Sequence, residues 1–158
     1  MSTVASTVSC SPVVIEQSTW RDLNALRRLE RLCFPKDAWP LWDLIAVLTL
    51  PNVVRLKAIC QEQMVGFIAA DIRHSENLAW IATLGVLPAF RGQGIGAALL
   101  AACEARLAMP RVRLCVRISN QPAIRLYDRC GYQRYEIWRG YYADGEDAIV
   151  YEKHLVNA

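Results

Sequence analysis

Residues 80–107 read WIATLGVLPAFRGQGIGAALLAACEARL, and three kinds of chain meet there. WIATLGVLP is a strand-like apolar run. RGQGIG, Arg91 to Gly96, places three glycines and one arginine within six residues. From Ile95 onward, Ile95, Ala98, Leu99, Ala102, Cys103 and Leu107 recur at helical spacing. A strand that feeds a helix through such a turn leaves several backbone N–H groups bare at the helix N-terminus. That end carries partial positive charge and unpaired donors, so it attracts a phosphate or a diphosphate. Glycines let the ligand approach the backbone closely, and Arg91 adds a fixed positive charge beside them.

Outward from this point the chain alternates strands and helices. PVVIEQ is a short strand, and STWRDLNALRRLERLCF is a helix capped at Ser18 or Thr19. PKDAWP breaks it with two prolines, and LWDLIAVLTL is a second helix. VVRLKAIC and MVGFIAADIR are strands joined by the polar QEQ, as in a hairpin. NLAWIATLGV is a longer strand. After the glycine turn and its helix, RVRLCVRI alternates Val112, Leu114, Val116 and Ile118 with Arg113, Cys115 and Arg117. NQPAIRLYDRCG is a short helix ended by Gly131, in the place of a C′ glycine. YQRYEIW and DAIVYEKHL are strands separated by RGYYADGE. The order β-α-α-β-β-β-α-β-α-β-β, without repeat or internal linker, predicts one α/β domain with a mixed sheet over residues 12–158. Residues 1–11, small and polar, read as a flexible N-terminal arm.

Composition removes several function classes. The chain has 158 residues, 54% hydrophobic and 21% charged, enough for one real core. A net charge of +3, with no run of four Lys/Arg and no zinc-finger spacing, gives no argument for nucleic acid or a metal. No apolar stretch approaches the ~20 residues that cross a bilayer. None of the six cysteines (Cys10, Cys33, Cys60, Cys103, Cys115 and Cys130) forms a CxxC pair, and no segment reads as a signal peptide. They read as reduced, buried thiols of a cytoplasmic protein.

Three diphosphate ligands compete for the glycine turn. A Walker loop needs Gly-Lys-Ser/Thr, whereas Ala97 follows Gly96. Gly92-x-Gly94-x-x-Ala97 fits the dinucleotide pattern, but the next strand, RVRLCVRI, lacks the acidic residue that fold requires. The third ligand is coenzyme A. LGVLPAFRGQGIGAALL resembles the acetyl-CoA signature of the GNAT superfamily of N-acetyltransferases, with Arg91, Gly94 and Gly96 in the pattern. SNQPAIRLYDRCGY is similar to that superfamily's second hallmark, through Asn120, Ala123, Tyr127, Gly131 and Tyr132. The resemblance implies a single-domain fold with a mixed, largely antiparallel sheet of about seven strands, four flanking helices, and a splay between strands 4 and 5. It implies acetyl-CoA as cosubstrate, held by Leu84, Gly85, Val86, Arg91, Gly92, Gln93, Gly94, Ile95, Gly96, Asn120, Ala123 and Tyr127.

Within the superfamily the chain is most similar to protein N-terminal acetyltransferases of the ribosomal-protein-alanine type. LERLCFP, TLGVLPAFRGQGIG and RGYYADGEDAIVYEKHL carry that similarity. It implies that Phe34, Pro35, Tyr141 and Tyr142 wall a groove for the first residues of a peptide, so that the partner is a protein N-terminus, a ribosomal protein being one candidate, and the enzyme a monomer or weak dimer. Small-molecule amine acetylation and CoA binding without catalysis stay open as rival functions.

Acetyl transfer needs a neutral amine, a polarised thioester carbonyl and a proton for the departing thiolate. The Val86 N–H stands where an oxyanion donor is needed, and the pantetheine arm has an added-strand partner in Leu84 and Val86. Tyr127 occupies the superfamily's general-acid position. Where relatives carry a base, this chain has Cys115 and Trp80. Cys115 is a candidate proton acceptor or acyl-carrying nucleophile. Glu146, beside the Tyr-Tyr loop, is the better carboxylate candidate.

Overall fold

The computed structural model describes residues 6–155. Met1–Ala5, part of the expected arm, lie outside the described residues. Seven strands form one sheet in the order β1-β2-β3-β4-β5-β7-β6. They are β1 (Val14–Gln17), β2 (Val53–Cys60), β3 (Gln63–Arg73), β4 (Leu78–Val86), β5 (Arg111–Arg117), β6 (Gln133–Trp138) and β7 (Ala148–His154). Four α-helices accompany them: α1 (Leu23–Cys33), α2 (Leu41–Thr49), α3 (Ile95–Leu107) and α4 (Gln121–Arg129). All eleven elements follow the expected order, and the sheet is mixed as expected. Every neighbouring pair is antiparallel except β4–β5. No helix among the described residues is long and apolar enough to cross a membrane.

Two glycines fix how the helices sit on the sheet. Gly66 on β3 pairs with Val86, and a Cβ there would lie 2.9 Å from Leu99 Cδ1 of α3. Gly85 on β4 pairs with Phe67, and its Cβ would meet Leu29, Phe34 and Cys33 at 3.2–3.3 Å. The two positions are one residue out of phase, so they face opposite sides of the pleat. Helix α3 therefore presses on one face and α1 on the other. The core between them contains Leu26 and Leu29 of α1, Leu44 and Leu48 of α2, Phe67 and Ile68 of β3, and Leu99 and Leu100 of α3, each at most 3% exposed.

The expected splay is present. β4 and β5 pair only at Ala79↔Val112 and Trp80↔Arg113. Just beyond, Ala70 on β3 faces Ile81 while Ala69 faces Thr83, so Ala82 is an extra residue on β4. A bulge bends its strand and increases the local twist. The bend sits where β4 leaves β5, and from Thr83 onward the β4 edge is open.

The helix termini follow the capping rules. Thr19 and Asp22 make a reciprocal capping box ahead of α1, although the first turn, Trp20–Asp22, is 3-10 rather than α. Asn120 caps α4 through Oδ1, which accepts the Ala123 N–H. Gly131 ends that helix in the left-handed region at φ +87, as the C′ reading requires.

One expectation is corrected. Cys10 and Cys60 form a disulfide, so only Cys33, Cys103, Cys115 and Cys130 are free. The reason is topological: β1 runs antiparallel to β2 with Val14 opposite Ile59, which carries the chain ahead of β1 alongside the end of β2. The described part of the arm bonds back to the fold. The Val8 N–H donates to the Ala89 C=O, and residues 8 and 10 bond to the side chain of Gln93.

Candidate active site

The open β4 edge supplies the first part of the site. The Leu87 N–H donates to the Val65 C=O on β3 at 2.8 Å. Donors alternate in direction along an antiparallel ladder, so the N–H and C=O of Val86 and Leu84 point away from β3, into the split. The Val86 C=O is already taken, by Arg91 Nε at 3.0 Å and the Cys33 thiol at 3.3 Å. The Val86 N–H and both Leu84 groups have no hydrogen-bond partner among the described residues.

The glycine turn supplies the second part. Gly92 and Gly94 have φ of +77 and +81, and space where a Cβ would stand is empty for 4 Å. The first rung of α3 is Ala98 N–H to Gly94 C=O, so the N–H groups of Ile95, Gly96 and Ala97 have no intrahelical acceptor. That is the donor set a diphosphate needs. Gly96 does a different job from its neighbours: a Cβ there would stand 3.2 Å from Leu126 Cδ2, so its smallness lets α3 close on α4. Gln93 offers a ligand only its backbone, because both ends of its amide bond to the arm. The Asn120 side chain is committed to the α4 cap, and Ala123 is its donor.

Tyr127, the sequence's candidate acid, stands on α4. It is 7% exposed, packed edge-on against Tyr132 and tilted against Tyr151. Its hydroxyl has no protein hydrogen-bond partner among the described residues. Burial, with smaller contributions from Tyr142 and Cys130, raises its pKa above tyrosine's usual range. A phenol held protonated and unpartnered suits a proton donor.

The third part holds the residues that the sequence reading expects to wall one groove. Phe34, the C-cap of α1, lies half-buried against Gly85, with exposed Pro35 following it. A separate aromatic chain runs from Trp80 to Trp138, Tyr141 and Tyr142, with ring centroids 5.7, 5.4 and 5.0 Å apart. Arg117 on β5 ties the two stretches together. Its guanidinium binds Asp37 bidentately at 2.7 Å on one side. On the other it reaches Asp144 at 2.9 Å and Glu146 at 2.8 Å, and the Tyr142 ring lies 4.2 Å from its centre. Planar, five-donor arginine is the one side chain suited to such a junction.

This arrangement reassigns two candidate bases. Glu146 accepts from the Ser119 N–H and from Arg117, and these bonds hold its carboxyl below the usual range. A carboxylate so stabilised is a poor proton acceptor and a good tether. Cys115 lies close enough to Tyr141 and Tyr142 to influence both, and burial pushes its thiol up to about 11. It is therefore a neutral thiol at physiological pH rather than a thiolate nucleophile.

Sequence reasoning missed Arg117, Asp37 and Glu30. Glu30 stands on the apolar stripe of α1, one turn after Leu26, which is itself a signal: a carboxyl where a hydrophobe is expected. It is 1% exposed, its Oε1 accepts the Thr83 hydroxyl at 2.9 Å, and burial raises its pKa.

Known proteins resemble this chain in sequence and in fold. The family model described as Acetyltransferase (GNAT) family matches residues 23–132. The N-alpha-acetyltransferase of Sulfurisphaera tokodaii is 32% identical over 150 residues, covering 86% of this chain and 89% of that protein. The N-terminal acetyltransferase A complex catalytic subunit NAA10 of Arabidopsis thaliana is 30% identical over 150 residues, covering 90% and 78%. Among solved structures, the ribosomal-protein-S18-alanine N-acetyltransferase of Escherichia coli superposes with a TM-score of 0.83 at 26% identity, covering 92% and 96% of the two chains. Arabidopsis thaliana NAA60 in complex with acetyl-CoA superposes at 0.80 with 23% identity, a likeness of fold, covering 90% and 99%.

Proposed function

The chain belongs to the acetyltransferase (GNAT) family and is an N-acetyltransferase; from that premise we propose that it moves the acetyl group of acetyl-CoA to the α-amine of a protein N-terminus. The observation that carries the reading is the Arg117 junction: it joins Asp37, three residues after Phe34, to Asp144 and Glu146 beside the Tyr141–Tyr142 pair, while Phe34 packs against Gly85 of β4. Tyrosine pairs offer ring faces and hydroxyls to a short peptide. The relatives named above as N-alpha-acetyltransferases support the same acceptor.

The fit to acetyl-CoA rests on the empty space at Gly92 and Gly94 and on the unbonded N–H groups opening α3. These take the diphosphate, and Leu84 and Val86 pair with the pantetheine arm. An α-amine has a pKa near 7.7–8.0, so roughly a third is neutral at pH 7.5. The neutral nitrogen attacks the thioester carbon. The carbonyl oxygen gains charge, which the Val86 N–H stabilises. The C–S bond then breaks, and Tyr127 gives its proton to the departing sulfur. The proton shed by the new amide nitrogen leaves to solvent, and Tyr127 regains one from water. No protein base is required, consistent with Cys115 and Glu146 being unsuited to the task.

A small-molecule acceptor such as a polyamine would need free carboxylates. Here Asp37, Asp144 and Glu146 all bind Arg117, which favours the peptide reading. The test is mass spectrometry after incubation with acetyl-CoA. Peptides beginning Ser, Ala, Met and Thr are set against an N-blocked lysine peptide, spermidine and an aminoglycoside. Acetylation at an α-amine supports the reading. Acetylation confined to the free amines or to the lysine side chain overturns it.

A further inference from the structure

The segment ahead of β1 lies across the glycine turn and is held at both ends. At one end the Val8 N–H donates to the Ala89 C=O at 3.0 Å, just before the turn. Inside the turn, Gln93 Nε2 donates to the Val8 C=O at 2.6 Å, and Gln93 Oε1 accepts the Cys10 N–H at 3.0 Å. One amide thus reads two backbone groups of the same segment. At the other end the tie is covalent, Cys10 to Cys60 across 50 residues of sequence. Cys60 is 2% exposed, so its half of the bridge is embedded in the core.

Apart from Gln93, the turn is held by Arg91 Nε on the Val86 C=O and by the Ala98 N–H on the Gly94 C=O. Gln93 stands between Gly92 and Gly94, both left-handed, with nothing within 4 Å of either virtual Cβ. Glycines have more backbone freedom to lose than any other residue. The Gln93 side chain ties the middle of the turn, between the two left-handed glycines, to the segment that the disulfide anchors.

We propose that residues 8–10 form a disulfide-latched strap that positions the glycine turn through Gln93, and that reducing Cys10–Cys60 releases the strap and weakens acetyl-CoA binding. Gln93 is here a positioning residue and does not touch the ligand with its side chain. The proposal rests on the reading of this turn as the acetyl-CoA site. In the reductive step a dithiol attacks the half-exposed Cys10 sulfur and the Cys60 thiol departs. A second thiol of the reductant then displaces Cys10, leaving two protein thiols and one oxidised dithiol. Three hydrogen bonds scarcely offset the entropy of ordering the strap without its covalent anchor. If release leaves the turn in its binding geometry about 5–20% of the time, apparent affinity falls about 5- to 20-fold.

The full chain is titrated calorimetrically with acetyl-CoA before and after treatment with dithiothreitol, alongside Cys10→Ser and Gln93→Ala. Non-reducing peptide mapping of the untreated protein must show Cys10 linked to Cys60. The expected result is a Kd raised about 5- to 20-fold by the dithiol, by Cys10→Ser and by Gln93→Ala, with dithiol having no further effect on Cys10→Ser. In the dithiol-treated protein and in Cys10→Ser, turnover at saturating acetyl-CoA and the peptide KM stay within twofold, which general loosening of the fold would not allow. An unchanged or tighter Kd on reduction, free Cys10 and Cys60 in the map, or an equal dithiol effect on Cys10→Ser overturns the strap. Absence of acetyl-CoA binding in every form, oxidised included, instead overturns the site on which it rests.

Discussion

Replacing Tyr127 by Phe separates chemistry from packing at the centre of the site. The ring is 7% exposed and touches Tyr132 and Tyr151 at centroid distances of 5.8 and 5.9 Å. Phenylalanine keeps those contacts. The hydroxyl bonds to no described protein group, so its removal strands no buried partner, and stability should change by no more than about 1 kcal/mol. General acid catalysis contributes about 10²–10⁴ in rate. The barrier should therefore rise by about 2.7–5.5 kcal/mol, several times the stability change. Turnover is read by chromatography of the acetylated peptide, acetyl-CoA affinity by calorimetry and folding by urea titration. The variant should bind acetyl-CoA within twofold of the parent and turn over at least a hundredfold more slowly. In the parent, burial keeps Tyr127 protonated past its usual range, so turnover should rise through the amine's pKa near 8 and not fall before pH ~10. A turnover within threefold of the parent, or an equal loss of affinity and rate, refutes the assignment of Tyr127 as the acid.

Other consequences are as direct. Arg117→Met frees both proposed groove walls at once, so the peptide KM should rise more than tenfold while the acetyl-CoA Kd holds within twofold; equal damage to both would make the arginine a general scaffold residue. Gly96→Val drives a branched side chain into Leu126, so it should cost about 1–3 kcal/mol by overpacking and weaken acetyl-CoA binding, both measurable by urea titration with and without ligand. Glu30 has a raised pKa in the fold, so its native state binds more protons than the unfolded chain between the two values, and stability falls as pH rises through them. Glu30→Gln should then help more at pH 7.5 than at pH 4.5, and an equal effect at both would contradict burial as the cause. Burial pushes Cys103, 0% exposed, up to about 12, so the unfolded chain sheds this proton first. Stability should decline above pH ~8.5 by up to about 1.4 kcal/mol per pH unit, and a Cys103→Ala variant should lose that part of the slope.

The elements were legible because their patterns were local. Alternation in RVRLCVRI and the three glycines before α3 each announce one conformation without help from distant chain. The candidate site is legible where its parts sit in local motifs: the β4 edge and the turn in one, Tyr127 in the other. It was not legible where residues far apart must meet. Arg117 collects Asp37, Asp144 and Glu146 from as many as 80 residues away, and nothing in the string marks that junction. For the same reason Glu146 resembles a free carboxylate in sequence and is a tether in space. Cys10 and Cys60 carry no spacing signal either, because only the antiparallel pairing of β1 with β2 makes them neighbours. Gly96 and Asn120 stand in a binding motif while serving helix packing and a helix cap, and a motif alone does not separate those roles.

With only Ala79↔Val112 and Trp80↔Arg113 stitching β4 to β5, the molecule is two plates sharing a short seam. Acetyl-CoA wedged there would act as a missing rib, bonding to one plate and filling the gap before the other. Cosubstrate would thus stiffen the whole body as well as feed the reaction. Amide exchange along Thr83–Val86 and the facing end of β5 should slow together when it arrives, while the β2–β3 hairpin keeps its own pace.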